Sequence, residues 1–450
     1  MSFRRRSLAL GSCLLFIAIA SASLPAQTGP TGQTPPTSQP TESSSTTAGA
    51  EQPAKEFTLP PDKYRQAVEY SRAKYTHYFV NALYGILVLV PVLVWKLGPK
   101  YRDWAEKASS RRFVQMIVYA PLMLLTISVL SAPSDVWDEW LARKYGLSVQ
   151  SWGSWAGDWV KGLVLSLVIF SVLVWILYGV IRRSPRRWWF YFWLASLPVL
   201  LFVLFLSPVV IEPMFFKFTP LQPKHPELVA EMEKIVQRGG MEIPPDRMYE
   251  MNASTKLTGL NASVSGFGAS KRVEVWDTTL AKASTPEILI VFGHEMGHYV
   301  LHHIPKLIAI DAFLLLILLY VGFRAANWLL ARRGLSWGIR DIGDWASLPA
   351  LALVLTVLSF FATPAFNSAS RYFEHEADRY ALEVTHGLVP NARDAAIQYF
   401  QISGAINLAD PDPRPFIVFW FFDHPSRPQR IHFMLTYDPW KPGESPRYVK

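Results

Sequence analysis

Two histidines four residues apart, with a glutamate beside the first, form the run His294-Glu295-Met296-Gly297-His298, which has the spacing of a metal site carried on a helix. At 3.6 residues per turn both imidazoles leave one face about 6 Å apart, so both can reach a single zinc ion. Glu295 stands beside them. A carboxylate there can take a proton from a water that the metal has made acidic near neutral pH, as peptide hydrolysis requires. The surrounding residues predict one helix from Ser284 to His303: Ser284 pairs with Glu287 as a cap, and Pro286 falls in the first turn, where its missing N–H costs nothing. The pentapeptide also occurs in helices that hold no metal, so a third ligand must come from elsewhere. A histidine ten residues after His294 would supply one, but that position is Ile304, and Leu301 replaces the glycine such a motif carries.

A later stretch, Asn367 to Asp378, offers a carboxylate instead. Glu374 and Asp378 are four apart on a predicted helix, so Glu374 can bind the metal while Asp378, one turn on, accepts a hydrogen bond from a ligand histidine and fixes its tautomer. Glu376 points about 160° away from Glu374 on that helix. His375 also lies off the face and reads as an ordinary packed or surface residue.

Around these residues the chain of 450 is 50% hydrophobic and 14% aromatic with 17 tryptophans, which suggests a membrane protein with a modest soluble portion. The formal charge of +9 does not point to nucleic acid, because the basic residues cluster beside apolar runs. Cys13 is the only cysteine, so no intramolecular disulfide is possible. Six apolar runs suit a bilayer that needs about 20 helical residues. They are approximately Tyr78–Leu97, Val114–Leu130, Leu163–Ile181, Trp189–Val210, Leu307–Leu330 and Leu348–Ala365, with Trp188, Trp189, Trp328 and Trp345 at their ends as interfacial anchors. Asp311 lies near the start of the fifth run, where its carboxylate is expected to reach the interface.

Ahead of the spans, Arg4-Arg5-Arg6, the apolar Ser7 to Ala20 and the small residues up to Ala26 read as a signal peptide; the same features suit an uncleaved anchor. The Pro-, Ser- and Thr-rich residues that follow have almost nothing to bury and read as a disordered tether. Between the fourth and fifth runs lies a soluble insert, Lys217 to Ala283. It holds an amphipathic helix over Pro226–Arg238 and two strand-like segments, Asn261 to Gly266 and Arg272 to Asp277. An edge strand beside a protease's metal helix commonly pairs with the extended substrate; an ordinary hairpin in a small α+β domain is the plainer alternative.

From about Pro60 to Tyr437 the chain resembles the type I CAAX prenyl endopeptidases, integral-membrane zinc proteases of the gluzincin kind. The resemblance rests on Tyr70-Ser71-Arg72-Ala73-Lys74, on Glu212 to Pro220, on Asn261-Ala262, Asp277-Thr278, HEMGH and SRYFEHEAD, and on Asp423-His424-Pro425-Ser426 followed by Arg430-Ile431. It implies that Glu374 is the third zinc ligand, that His424 and Arg430 lie at the active site, where donors can stabilise a tetrahedral oxyanion, and that Asn261 and Ala262 bind substrate. It also implies a ring of tilted helices around a water-filled chamber. The chain departs from the family in its long tether and in Gly259-Leu260, which stand where polar residues usually precede the asparagine. The signal-like start suggests a bacterial relative.

The resulting expectation is a mainly α membrane protein, a multi-span helical ring enclosing a chamber, with a small α+β domain carrying the zinc motif. Its parts are residues 1–26 as signal peptide or anchor, 27–59 as tether, 60–216 as a four-span membrane domain and 217–450 as the metallopeptidase domain with two further spans. The function expected is a zinc endopeptidase, one Zn2+ per chain, acting on peptide or protein substrates, membrane-associated ones included. A quality-control protease of the same metal class and a catalytically idle membrane scaffold or transport protein are the alternatives; the intact Glu295 argues against the second. By the positive-inside rule the basic loops after the first, third and fifth spans are cytoplasmic, which puts the active site on the outer, periplasmic side of a bacterial inner membrane.

Overall fold

Apolar periodicity and length together build six helices able to cross a bilayer among residues 56–266 and 271–449, the stretches that the computed structural model describes. The signal-like segment and the tether up to residue 55 lie outside these stretches. The end of the stretch read as tether is not bare linker: Phe57 is buried against Gly404, and Thr58 N–H donates to Gln401 Oε1 at 3.2 Å. An aromatic there has a core to enter.

The membrane part comprises α1 (Pro61–Val94), the short amphipathic α2 (Leu97–Ala108), α3 (Arg112–Lys144), α4 (Trp152–Arg183) and α5 (Trp188–Leu206). Along α1 the exposed Val80, Leu83, Leu87, Val90 and Val94 recur every three or four residues, the stripe expected of a lipid-facing helix, while Val88, Leu89 and Val92 turn inward. The chain then forms β1 (Phe218–Pro220), α6 (Pro226–Arg238), β2 (Met248–Met251), β3 (Ala262–Ser265) and β4 (Arg272–Trp276). The four strands make one sheet in the order β1-β2-β4-β3, with β2 parallel to β4 and the other pairs antiparallel. β3 is therefore an edge strand, and it pairs antiparallel with β4, so the two strand-like segments of the sequence lie side by side.

A short α7 (Asp277–Lys282) leads into α8 (Thr285–Val300), which carries the HEMGH run, and then come α9 (His303–Arg333), α10 (Leu348–Thr385), α11 (Ala392–Ile406), α12 (Pro415–Phe421) and α13 (Arg427–Thr436). Two boundaries differ from expectation. α8 ends at Val300 and not at His303, because His302 takes left-handed backbone angles (φ 56°) and turns the chain into α9. The sixth apolar run and the stretch bearing Glu374 are one 38-residue helix, α10, which continues through Pro364. One rigid rod thus runs from the membrane to the site. Asp311 is buried within α9, and does not reach the surface as expected.

The loops expected to share a membrane face meet at one end of the bundle. Arg102 on α2 donates to Asp344 Oδ2 at 2.7 Å, Arg340 to Glu106 Oε1 at 2.8 Å, and Arg182 to the Gly343 carbonyl at 3.0 Å. These contacts join the connections after spans one, three and five.

Candidate active site

The metal motif sits where α8 crosses α10, and the close crossing has a sequence cause. A Cβ at Gly297 would lie 3.1 Å from the Tyr380 side chain and 3.3 Å from the Ala377 Cα, so glycine lets α10 approach until Glu374 reaches the histidines. The Ser284–Glu287 capping box starts α8 as expected. Tyr380, Phe292 and Met296 fill the interface below, within a core that also takes in α6 and the sheet.

His294 Nε2 lies 3.1 Å from Glu374 Oε2 and 3.2 Å from His298 Nε2, which is itself 3.5 Å from Glu374 Oε1. One ligand atom from each of the three residues falls within 4.8 Å of the others, and all three residues are buried. Glu374 Oε1 makes no hydrogen bond despite its burial. A carboxylate oxygen left so beside two imidazole nitrogens is what a tetrahedral cation site with two histidines and one glutamate offers, so the donor set fits zinc.

The supporting contacts explain how the ligands are held. Asp378 Oδ1 accepts from His294 Nδ1 at 2.8 Å, which leaves Nε2 of that ring for a metal. Arg430 Nε donates to Asp378 Oδ2 at 2.8 Å, and its terminal nitrogen also bonds Oδ1. His424 Nε2 lies 3.0 Å from Glu374 Oε2 and its Nδ1 lies 2.9 Å from Asp423 Oδ1. Burial disfavours its charge, but Glu374 and Asp423 outweigh burial and push His424 up to about 9. Glu376 turns away from the histidines toward Arg379, Arg447 and the Tyr448 hydroxyl, and His375 packs on Phe433.

A pocket of ≈ 60 Å³ joins Asn261, His294, Glu295, Asp378, His424 and Arg430. Most of the residues singled out from sequence therefore share one small space, although Asn261 and Arg430 are far apart in the chain; His298, Glu374 and Ala262 lie outside its lining. The backbone of Asn261 is anchored by Thr279, whose hydroxyl accepts from its N–H at 2.8 Å and donates to its carbonyl at 2.7 Å. Ala262 opens the edge strand that packs beside α8.

Four residues escaped the sequence reading. His303 is buried with Nδ1 3.4 Å from His298 Nδ1, so it supports the second histidine as Asp378 supports the first. Its place five residues after His298 was the available signal. Arg427 lines the pocket, Asn407 holds Leu260 in its wall, and the Tyr299 hydroxyl donates to the Gly266 carbonyl at the end of the edge strand; of these only Tyr299 lies near the motif in sequence.

Two family models match adjacent stretches of the chain. Residues 46–217 match the family described as CAAX prenyl protease N-terminal, five membrane helices, and residues 222–437 match peptidase family M48. The uncharacterized metalloprotease YhfN of Bacillus subtilis is 35% identical over 378 residues, covering 83% of this chain and 85% of that protein. The human CAAX prenyl protease 1 homolog is 25% identical over 423 residues, with 82% of this chain and 85% of that protein covered. The crystal structure of S. mikatae Ste24p shares the fold at a TM-score of 0.71 and 20% identity, over 84% of this chain and 90% of that one. That shared fold is the expected helical ring with its small α+β domain.

Proposed function

This chain belongs to peptidase family M48, as a membrane metallopeptidase of the CAAX-prenyl-protease kind, and on that premise we propose that it is a zinc endopeptidase with Glu295 as general base. The observation that carries the reading is the convergence of His294, His298 and Glu374 within 4.8 Å, with Glu295 in the wall of the pocket that His294 also lines. His294, His298 and Glu374 would hold a zinc ion, which would supply the Lewis acidity that lowers the pKa of a water to near neutral pH.

The chain's own groups divide the remaining work. Glu295 takes the proton of the attacking water and returns it to the departing amine. His424, in the wall of the same pocket as Glu295, donates toward the oxyanion that forms at the scissile carbonyl. Arg430 belongs with it in the site; its hydrogen bonds to Asp378 give it the further task of keeping that carboxylate on His294. Ala262 offers the substrate backbone an open edge, since an edge strand beside the metal helix invites strand addition, and Asn261, its own backbone held by Thr279 and Trp276, binds substrate from the pocket wall.

The division into residues 60–216 and 217–450 belongs to this reading, supported by two family matches that meet between residues 217 and 222. So does a place in a bacterial inner membrane with the site facing outward. The relatives named CAAX prenyl proteases suggest a peptide or protein substrate without fixing which. Metal analysis of the purified protein, combined with a hydrolysis assay on a peptide library, tests the proposal. About one zinc per chain and chelator-sensitive cleavage support it; a metal-free protein or an uncleaved library refutes it.

A further inference from the structure

Helix α12 (Pro415–Phe421) is apolar along its whole length, yet Phe416 and Phe419 on it are 57% and 51% exposed. Seven residues make about 10 Å of helix, too little to cross a hydrocarbon core of about 30 Å. Its neighbours set its depth. Phe416 stacks on Phe79 with ring centroids 6.2 Å apart, and Trp420 lies 5.0 Å from Phe360 and 6.3 Å from both Phe79 and Phe361. Phe79 adjoins Val80, where the lipid-facing stripe of α1 begins, and the exposed Phe361 lies in the sixth apolar run just ahead of Pro364. α12 is therefore level with the last apolar turns of two spans, at the end of the bundle opposite the Arg102–Asp344 contact.

The backbone of α12 is closed as a bilayer requires. The last carbonyls of a helix lack partners within it, and at this depth water does not replace them. Here α10 supplies the donors. Arg371 Nη1 donates among the Val418, Phe419 and Phe422 carbonyls, at 3.0 Å and 3.4 Å from the first two, and Asn367 Nδ2 donates to the Trp420 carbonyl at 2.8 Å. Ser368 Oγ accepts from Arg371 Nη2 at 2.8 Å and steadies the guanidinium. Asp423 and His424 follow Phe422 directly, and His424 Nε2 stands 3.0 Å from Glu374 Oε2, also on α10. One stretch of α10, Asn367 to Glu374, thus holds both α12 and the metal ligand that His424 faces.

We propose that α12 is seated in the bilayer leaflet on the metal-domain side, with lipid chains packed on Phe416, Phe419 and Phe361, and that Arg371 is a positioning residue that passes this seat on to His424. Lipid fits the patch better than an apolar part of the substrate does, because the patch continues the stripe of α1 and none of its three aromatic residues lines the cavities beside the metal site. The positioning role rests on the reading of His424 above; the seat does not. The test uses the full chain in a Cys13→Ser background, in nanodiscs of phosphatidylethanolamine and phosphatidylglycerol, with a nitroxide on Phe416→Cys, on the lipid-facing Leu87→Cys or on the exposed Ser445→Cys. Oxygen should relax the label at 416 as it does the one at 87, and a water-soluble nickel chelate should reach it at least about tenfold less than the one at 445. A chelate that reaches 416 as readily as 445 overturns the seat. At full zinc occupancy, Arg371→Gln and the double variant Phe416→Ser with Phe419→Ser should each lower kcat at least about tenfold with KM within about twofold, since a displaced His424 costs the transition state and not substrate binding. Arg371→Lys should recover part of the loss. A wild-type kcat in either variant overturns the positioning role, and a double variant that raises KM with kcat kept assigns the patch to substrate and overturns the lipid seat. If the wild type cleaves nothing, the peptidase reading and the positioning role fall, and the label at 416 still decides the seat.

Discussion

Arg430 donates through Nε to Asp378 Oδ2 at 2.8 Å, and the other oxygen of that carboxylate faces His294 Nδ1 at 2.8 Å. Asp378 is therefore gripped on one side and directs a histidine on the other. The pair lies at the crossing of α10 and α13, so the metal ring's tautomer depends on two helices that meet only in the folded protein.

Replacing Asp378 by Asn should weaken zinc binding by about 10–100-fold without emptying the site, as losses in a metal's outer shell tend to do. The change also leaves the buried Arg430 without its carboxylate, so the thermal midpoint should fall. Competition against a zinc chelator reads the affinity. An unchanged zinc affinity would count against the orienting role.

Glu295→Gln should abolish peptide hydrolysis while one zinc per chain remains, because the base is lost and the three ligands are kept. Loss of a placed general base costs at least about 10²-fold in rate. Full activity in the purified variant would sink the mechanism.

Glu374→Gln should lose zinc and Glu376→Gln should keep it. Glu374 Oε2 is 3.1 Å from His294 Nε2, whereas Glu376 is engaged by Arg379, Arg447 and Tyr448. The second variant should instead loosen the carboxy-terminal segment, at a cost of about 1–3 kcal/mol for the broken buried contacts. Equal zinc in both variants would mean that the ligand is another residue.

Much of this was legible because it is local. The four-residue spacings of His294 with His298 and of Glu374 with Asp378 place side chains on a helix face whatever the fold, and the amphipathic pattern of Pro226–Arg238 gave that helix its bounds. Resemblance, not spacing, brought in His424 and Arg430. The turn at His302 had no glycine to announce it, and Pro364 inside α10 hid the continuity of span and ligand helix. Asn407 on Leu260 joins positions 147 apart, and nothing in either neighbourhood marks the contact. Such pairs are set by how elements stack, which a linear pattern does not encode.

The last prediction concerns the side of the membrane that the site serves. Lys100, Arg102, Lys107, Arg111 and Arg112 follow the first span, Arg182, Arg183, Arg186 and Arg187 the third, and Arg332, Arg333 and Arg340 the fifth. The contacts of Arg102 and Arg182 with Asp344 and Gly343 bring these connections together at one end of the bundle. The opposite connection, Ala132 to Trp159, carries Asp135, Asp138, Glu139 and Asp158 against Arg143 and Lys144. The metal domain attaches at that acidic end, where Lys256 pairs with Asp158. The basic end should therefore be cytoplasmic and the metal domain outside. In a Cys13→Ser background, cysteine at the exposed Ser445 should react with a membrane-impermeant maleimide in intact spheroplasts, and cysteine at the exposed Arg186 only after lysis. Tyr448 is a poorer probe position because its backbone N–H is bound to Glu383. The reverse labelling pattern would turn the topology over and put the active site in the cytosol.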